Sequence, residues 1–489
     1  MKINKEVTGK AILFIVLIYL PIFLHLDTIP IRIWDESRLA INAYEMHKDG
    51  NFLVTHFLGQ PDMWNTKPPL MIWLQVFFIK IFGVNELAIR LPSAIAAFLT
   101  CLALLFFSLK HLRDYWFGLI AALILVTSQG YINVHVSRTG DYDALLTFFT
   151  TVFCFSFFLF ITTNTVKYLH LFFIALTLAV LTKSVQGLFF MPALLVYSLL
   201  EKKLMLLIKN KWLWIDMAMC ISVIAVYYLL RECYNPGYLQ VVLENDLWGR
   251  YARVSDEHKG DFWFYYQNFI AFQFSLWYWL IPCGIALGLT IKNQQIKALA
   301  LFSTLMGGTY FLVTSLSSTK LDWYDAPLYP FLSVIGALAI YWLFSFIKNS
   351  KHVIQQFTIN VAPLVFLFFV FLVPYMKIID KVYKPREYPW DEQYYFISRY
   401  LQDAIQTKHD LNNKSICYDG YPAQLLFYVN ILNDMGRRVD IVDWHTLRAG
   451  STVVISQEEI KKCIEQKYLF EPVESYYSIY TYKIIGERP

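Results

Sequence analysis

The side chains able to do chemistry sit in a few short polar stretches between long apolar runs. The first, "DESRLAINAYEMHKDGNFLVTHFLGQPDMWNTKPPL", opens on Asp35, Glu36 and Arg38 and closes on Lys67, followed by Pro68, Pro69 and Leu70. "SRTGDYDALL" over 137–146 carries Asp141 and Asp143, and "LTKSVQG" over 181–187 carries Lys183. "ENDLWGRYARVSDEHKGDFWFYY" over 244–266 carries Arg250, and "SSTKLDWYDAPLYP" over 317–330 carries Tyr324. Fixed Lys and Arg side chains offer a phosphate charge-assisted hydrogen bonds. A carboxylate beside them can take the proton of an attacking group. These residue types suit a phosphate-bearing substrate and an acid–base step.

Each residue also has a plainer reading. Asp35 and Arg38, three apart, could form a helical ion pair. Lys67 and Lys183 could be interfacial lysines that reach for water. Arg250 and Arg253 could belong to a solvated loop face. His47, His56, His135 and His258 read as surface or interfacial histidines rather than metal ligands, and Trp263 and Trp323 as anchors at the membrane boundary. The signal is that the outliers gather on one side of the chain's topology.

That topology follows from composition. Of 489 residues, 57% are hydrophobic and only 16% charged, against about 25% charged in soluble domains. The excess is concentrated in runs such as "AILFIVLIYLPIFLHL", and about 20 such residues span a bilayer core. The chain reads as a polytopic α-helical membrane protein. The +5 net charge comes without a basic run interleaved with aromatics, which argues against a nucleic-acid partner. Eleven spans are expected, at 11–29, 88–109, 115–136, 143–163, 168–182, 187–201, 211–231, 266–291, 297–316, 324–345 and 355–377. The apolar stretch 68–83 is short, begins with two prolines and contains Lys80, so it reads as an interfacial helix.

Lys/Arg asymmetry sets the orientation. With Lys2, Lys5 and Lys10 on the cytoplasmic side, alternate loops hold the basic residues Lys110, Arg113, Lys167, Lys202, Lys203, Lys292 and Lys348. The opposite loops, 30–68 and 232–265 among them, hold most of the acids, with Asp114 and Glu201 on the basic side, and the candidate residues lie in those loops or at the span ends beside them. An odd number of crossings then places residues 380–489 outside, as a small extracytoplasmic α/β domain following a transmembrane catalytic domain over 1–379. Short strands are expected in "SICYDG", "STVVIS" and "SYYSIYTYKII". The seven cysteines show no metal-ligand spacing, and Cys417 and Cys463 could pair in an oxidising compartment.

The stretch "WDESRLAINAYEMHKDGNFLVTHFLGQPDMWNTKPPLMIWLQVFFIKIFGVNELAIRLPSA" resembles the opening of the GT-C glycosyltransferases. Within them it is similar to the bacterial branch related to protein O-mannosyltransferases and to the aminoarabinose lipid A transferases. Weaker echoes follow in "SRTGDYDALLTFF", "LAVLTKS", "ENDLWGRY" and "STKLDWYDAPLYP". The resemblance implies a GT-C fold of about eleven to thirteen membrane helices. It implies an inverting transferase that takes a sugar from a polyprenyl-phosphate carrier and gives it to a lipid, glycan or protein acceptor at the external face of a bacterial inner membrane. Carried over by position, Asp35 matches the catalytic acid, and Lys67 and Arg250 the holders of the carrier phosphate. Lys183 and Tyr324 match further carrier contacts, and Glu36, Arg38 and Asp143 other cavity positions. One departure is Thr66, where the aminoarabinose transferases carry Glu before Lys-Pro-Pro; no cofactor is certain and a divalent metal stays open. The rival class is a lipid or polysaccharide transporter or flippase, whose ionisable residues would stand near the bilayer midplane.

Overall fold

A computed structural model describes residues 5–249, 260–350, 361–389 and 391–489. Arg250, Arg253 and His258 lie outside the described residues. Among the described residues, eight helices are long and apolar enough to cross a membrane, and four shorter apolar helices accompany them. In chain order the elements used below are α1 Lys5–Phe23, α2 Asp35–Asp49, α3 Leu70–Phe82, α4 Glu86–His111, α5 Tyr115–Val126, α6 Asp143–Thr163, α7 Val166–Lys183, α8 Met191–Leu200, α9 Lys211–Tyr234, α10 Leu280–Thr290, α11 Gln294–Leu316, α12 Tyr329–Asn349 and α13 Ala362–Tyr383. All but the polar α2 are apolar, and every expected span has a helix within it.

Two spans are interrupted, for visible reasons. Over 115–136 the helix stops at Val126. There the Thr127 hydroxyl donates to Leu123 O at 2.6 Å and the Ser128 hydroxyl to Ile124 O at 2.6 Å, side-chain bonds that compete with the helical ladder. Residues 127–142 then run as irregular chain, which frees them to line a site. The 266–291 region is a short helix, a π-helical turn at Phe269–Gln273, a run of turns and then α10. Gln273 O in that break accepts Gly130 N at 2.9 Å, and the Trp277 indole donates to Thr127 at 3.0 Å. A Cβ on Gly130 would stand 2.3 Å from the Tyr329 hydroxyl, so only glycine allows this approach.

The helices pack around an aromatic and aliphatic core, with Phe107 stacked on Phe155 at 4.1 Å. Outward positions such as Ile12, Ile221, Leu229, Phe368 and Val373 are apolar and exposed, the surface that a bilayer would cover. Helix α3 has 13 residues and is about 20 Å long at ~1.5 Å per residue, short of a hydrocarbon core. It packs between α2 and α4.

The C-terminal region holds a five-stranded sheet. Its strands are Lys414–Cys417, Val439–Val442, Thr452–Ile455, Tyr468–Tyr476 and Ile479–Glu487, in the order second, first, third, fifth, fourth. The first three run parallel, and the last two join antiparallel. The sequence reading misses the second and fourth. Cys417 is buried on the first strand and neither it nor Cys463 is bonded, so the pairing suggested for them does not form. A shared core joins this region to α2, α3 and the start of α4 through Ile397, Leu401 and Leu425. The Tyr428 hydroxyl donates to Glu86 and accepts Ile31 N, both at 2.8 Å.

Candidate active site

Asp35 is the first residue of α2, and its side chain is 54% exposed. The turn that presents it is held from behind. Glu36 is fully buried, and its carboxylate accepts Arg90 Nε at 2.7 Å, Arg90 Nη2 at 2.9 Å, and the backbone N–H groups of Arg32 and Gly140 at 2.8 Å. Arg90 also donates to the carbonyls of Leu26, Ile29 and Pro30. This buried pair fastens the end of the first crossing, the start of α2 and the 139–141 segment to α4. Burial pushes the Glu36 carboxyl up, but Arg90 more than reverses this and leaves it below the usual carboxylate range. Glu36 is therefore not a cavity residue; it is a clasp behind Asp35. Gly140 is required there, since a Cβ would lie 2.5 Å from Ile89 Cγ2 and 2.7 Å from Ile89 O.

Arg38 has a different partner from the one its spacing suggests. It donates to both oxygens of buried Asp62, at 2.6 and 2.9 Å, and not to Asp35. Asp62 also accepts from Asn42 and from the N–H groups of Trp64 and Asn65, each at 3.0 Å. Burial raises its pKa, and Arg38 brings it below the ordinary value. These bonds shape the chain ahead of Lys67. Asn65 bonds the Tyr142 hydroxyl at 2.8 Å, and Thr66 O accepts the Tyr238 hydroxyl at 2.6 Å. Lys67 then stands over the Tyr142 ring at 5.5 Å.

The 133–143 segment forms the opposite wall. Asp141 accepts the Thr139 hydroxyl at 2.6 Å, and Thr139 in turn accepts His135 N at 2.7 Å. His135 Nδ1 is 3.2 Å from Asp141 Oδ2 and 3.8 Å from Asp35 Oδ2. Its ring lies flat on Trp323 at 3.6 Å. Burial lowers the His135 pKa, but Asp141 and Asp35 raise it further, to above the usual value. His135 and Trp34 both have positive φ, at 64° and 74°. Backbone strain of this kind persists only where surrounding contacts over-determine it. His135 and Trp323 thus pack on each other in the wall of the cleft.

Asp143 starts α6 and Lys183 ends α7. The ammonium donates to both carboxylate oxygens at 2.6 and 2.7 Å, with both side chains buried. Lys183 is thus a fixed, partnered charge and not a snorkelling lysine. It lies 4.8 Å from the centre of the Tyr324 ring.

These walls enclose a cleft of about 450 Å³. Asp35, Arg38, Lys67, Asp143 and Lys183 line it, with Tyr324 against Lys183. So five of the sequence candidates meet in one place, drawn from three separate stretches. Asp141 lines it too, and His135 joins through Asp35 and Asp141. Sequence reasoning passed over the roles of both, although "GDYD" signalled an acid pair. It also missed Arg231, at the end of α9, which is buried and, among the described residues, has no hydrogen-bond partner on Nε or Nη1. Asp35, His135 and Asp141 each offer a ligand atom, all within 4.8 Å of one another. Two carboxylates and an imidazole are a fitting donor set for a divalent cation.

Residues 66–242 match the family of dolichyl-phosphate-mannose-protein mannosyltransferases. The undecaprenyl phosphate-alpha-4-amino-4-deoxy-L-arabinose arabinosyl transferase of Aeromonas salmonicida is 27% identical over 362 residues, covering 71% of this chain and 61% of that protein. The chain spans under two thirds of the curated relatives it matches, 63% and 61% of the two with the longest alignments. Among solved structures, ArnT from Cupriavidus metallidurans bound to undecaprenyl phosphate has a TM-score of 0.70 at 16% identity, with 97% of this chain and 98% of that chain covered. The Archaeoglobus fulgidus oligosaccharyltransferase in the apo form has a TM-score of 0.56 at 10% identity, covering 89% and 64%.

Proposed function

We propose that this chain, which resembles the GT-C type of membrane glycosyltransferases, moves a sugar from a polyprenyl-phosphate carrier to an acceptor, with inversion at the anomeric carbon. The reaction takes place at the external face of a bacterial inner membrane, on the side to which the acidic loops and residues 380–489 are assigned. The acceptor is a lipid, an envelope glycan or a protein.

The observation that carries this reading is the meeting of Asp35 with Lys67 and Lys183 in one cleft. Asp35 takes the proton of the acceptor as it attacks the sugar carbon. Lys67 and Lys183, joined by Arg250 on the strength of the resemblance, hold the phosphate as it departs. One well-placed donor at a developing charge is worth about 3–4 kcal/mol. Lys183 is preset by Asp143, so it needs no reorganisation when the phosphate arrives. The segment Asp322–Leu328 supports the reading from the lipid side. Its Trp323 lines the cleft, while its Leu328 lines an apolar groove of about 1020 Å³ with Phe269, Tyr278, Phe311 and Leu332. A polyprenyl tail suits such a groove. A divalent cation held by Asp35, His135 and Asp141 would add Lewis-acid charge beside the reacting groups.

A transporter would carry its ionisable groups near the bilayer midplane. Here Asp35, Asp143 and Lys183 stand at helix ends. The test is release of carrier phosphate from a polyprenyl-phosphate sugar by the purified, reconstituted chain. Lys67→Ala and Arg250→Ala should each weaken donor binding about tenfold or more, and the double variant should lose less than the sum, because both contact one phosphate. Additive losses, or unchanged donor binding, would reject a shared phosphate site.

A further inference from the structure

Behind the wall that carries Asp35 and His135 lies a second cleft, of about 570 Å³. Asn133, Val134 and Arg138 line it, while His135 between them stacks the other way, on Trp323. The remaining charged lining is Arg32, Arg90, Lys381 and Arg386, with His25 at the edge. Among the described residues, no carboxylate lines it. Arg90 is neutralised by Glu36. Among the described residues, no carboxylate lies within 4.0 Å of Arg32, Arg138, Lys381 or Arg386.

The partners these cations do have are neutral. Arg138 donates to the carbonyls of Ile22 at 2.7 Å, Leu24 at 2.8 Å and His25 at 3.0 Å. Lys381 donates to Ile132 O at 2.8 Å and to Asn133 Oδ1 at 3.0 Å. Arg32 is only 7% exposed and lies over the rings of Tyr388 and Tyr395, at 5.3 and 5.9 Å. Burial and the nearby Arg90 bring Arg138 down to about 10, with Asp27 opposing. Three other buried charges are paired, Glu36 with Arg90, Asp62 with Arg38 and Asp143 with Lys183, whereas buried Arg231 and Lys320, like Arg138, bond neutral oxygens. Arg32 is buried, Arg138 is half-buried, and Lys381 and Arg386 are exposed, so the cleft presents several positive charges at an opening where an anion can reach them.

We propose that this cleft is a second anion site, which takes a phosphate-bearing group: the headgroup of an anionic lipid or a free phosphate. Guanidinium forks match phosphate oxygens in pairs, and several cations suit a group of one to two negative charges better than a single carboxylate. The site lies where the first crossing ends and the last begins its final turn, since His25 and Leu26 follow α1 and Lys381 belongs to α13. Both helices present exposed apolar residues outward, among them Ile15, Val373 and Met376. A lipid could place its headgroup in the cleft and its chains along those faces. The proposal does not depend on the sugar-transfer reading.

The test uses the full chain in detergent with three probes: phosphatidylglycerol, phosphatidylethanolamine and inorganic phosphate. Retained lipid is counted by native mass spectrometry, and melting temperature is followed as each probe is added. Phosphatidylglycerol should be retained and raise the melting temperature saturably, with phosphatidylethanolamine doing neither. Lys381→Met and Arg138→Gln should each weaken that binding about tenfold or more, the usual effect of losing a hydrogen bond to a charged group. If inorganic phosphate alone reproduces the rise and the lipid does not, the ligand is a free anion and the site stands. Arg138→Gln also loosens the end of α1, so if it fails to fold, Lys381→Met alone decides. The proposal is overturned if no anionic probe binds saturably, if both lipids bind equally, or if Lys381→Met binds as the wild type does.

Discussion

Replacing Lys183 by methionine leaves the Asp143 carboxylate buried without the ammonium that lies 2.6 and 2.7 Å from its oxygens. Breaking a buried ion pair from one side costs about 3–5 kcal/mol. At ~2.1 cal/mol/K per residue, 489 residues carry an unfolding entropy of about 1 kcal/mol/K, so Lys183→Met should melt roughly 3–5 °C lower. The double variant Lys183→Met/Asp143→Leu removes both charges at similar volume and should recover most of that loss. Stability and function then separate. If Lys183 also holds the carrier phosphate, the double variant folds well yet binds donor about tenfold or more weakly. The assay pairs melting curves in detergent with donor titration of the single and double variants. Equal melting losses in both would refute the buried-pair argument. Wild-type donor binding in the double variant would refute a phosphate role for Lys183.

Two pH dependences follow from the clefts' walls. Asp62 has a folded pKa below its unfolded one, so its pairing with Arg38 stabilises the fold above about pH 4 and is lost as pH falls through the folded value. The melting difference between wild type and Asp62→Asn should therefore shrink on acidification from about pH 6 to below about pH 4, and a constant difference would count against it. His135 has a raised pKa, so its stabilisation is complete below about pH 6.5 and fades as pH rises through the folded value. The gap between wild type and His135→Gln should be wider near about pH 6 than near about pH 9, as read from melting curves; the opposite trend would show that His135 is not held by Asp141 and Asp35.

The membrane class and the place of nearly every helix were legible because apolar runs are a one-dimensional signal. So were Asp35, Lys67, Asp143 and Lys183, since polar outliers at the ends of such runs stand out. Partner choice was not legible. Arg38 lies three residues from Asp35 but pairs with Asp62, which the loop folds back over it, and Glu36 pairs with Arg90 in another helix. Spacing along one helix cannot register contacts made by a returning loop. The broken 266–291 span was hidden for a related reason: its apolar residues fit a helix, and only the close approach of Gly130 and Thr127 gives the break its bonding partners. His135 looked like a surface residue because its site is assembled by Asp141, Asp35 and Trp323 from three separate segments.

The central claim is that Asp35 acts on the acceptor. Its side chain is half exposed at the cleft, and Arg38, the residue that might have made it structural, is held by Asp62. Asp35→Asn keeps the shape and removes the base. Single-turnover sugar transfer from a polyprenyl-phosphate donor should fall about 10²-fold or more, while donor binding and melting temperature stay at wild-type values. Turnover near that of the wild type in the Asp35→Asn protein would contradict the account.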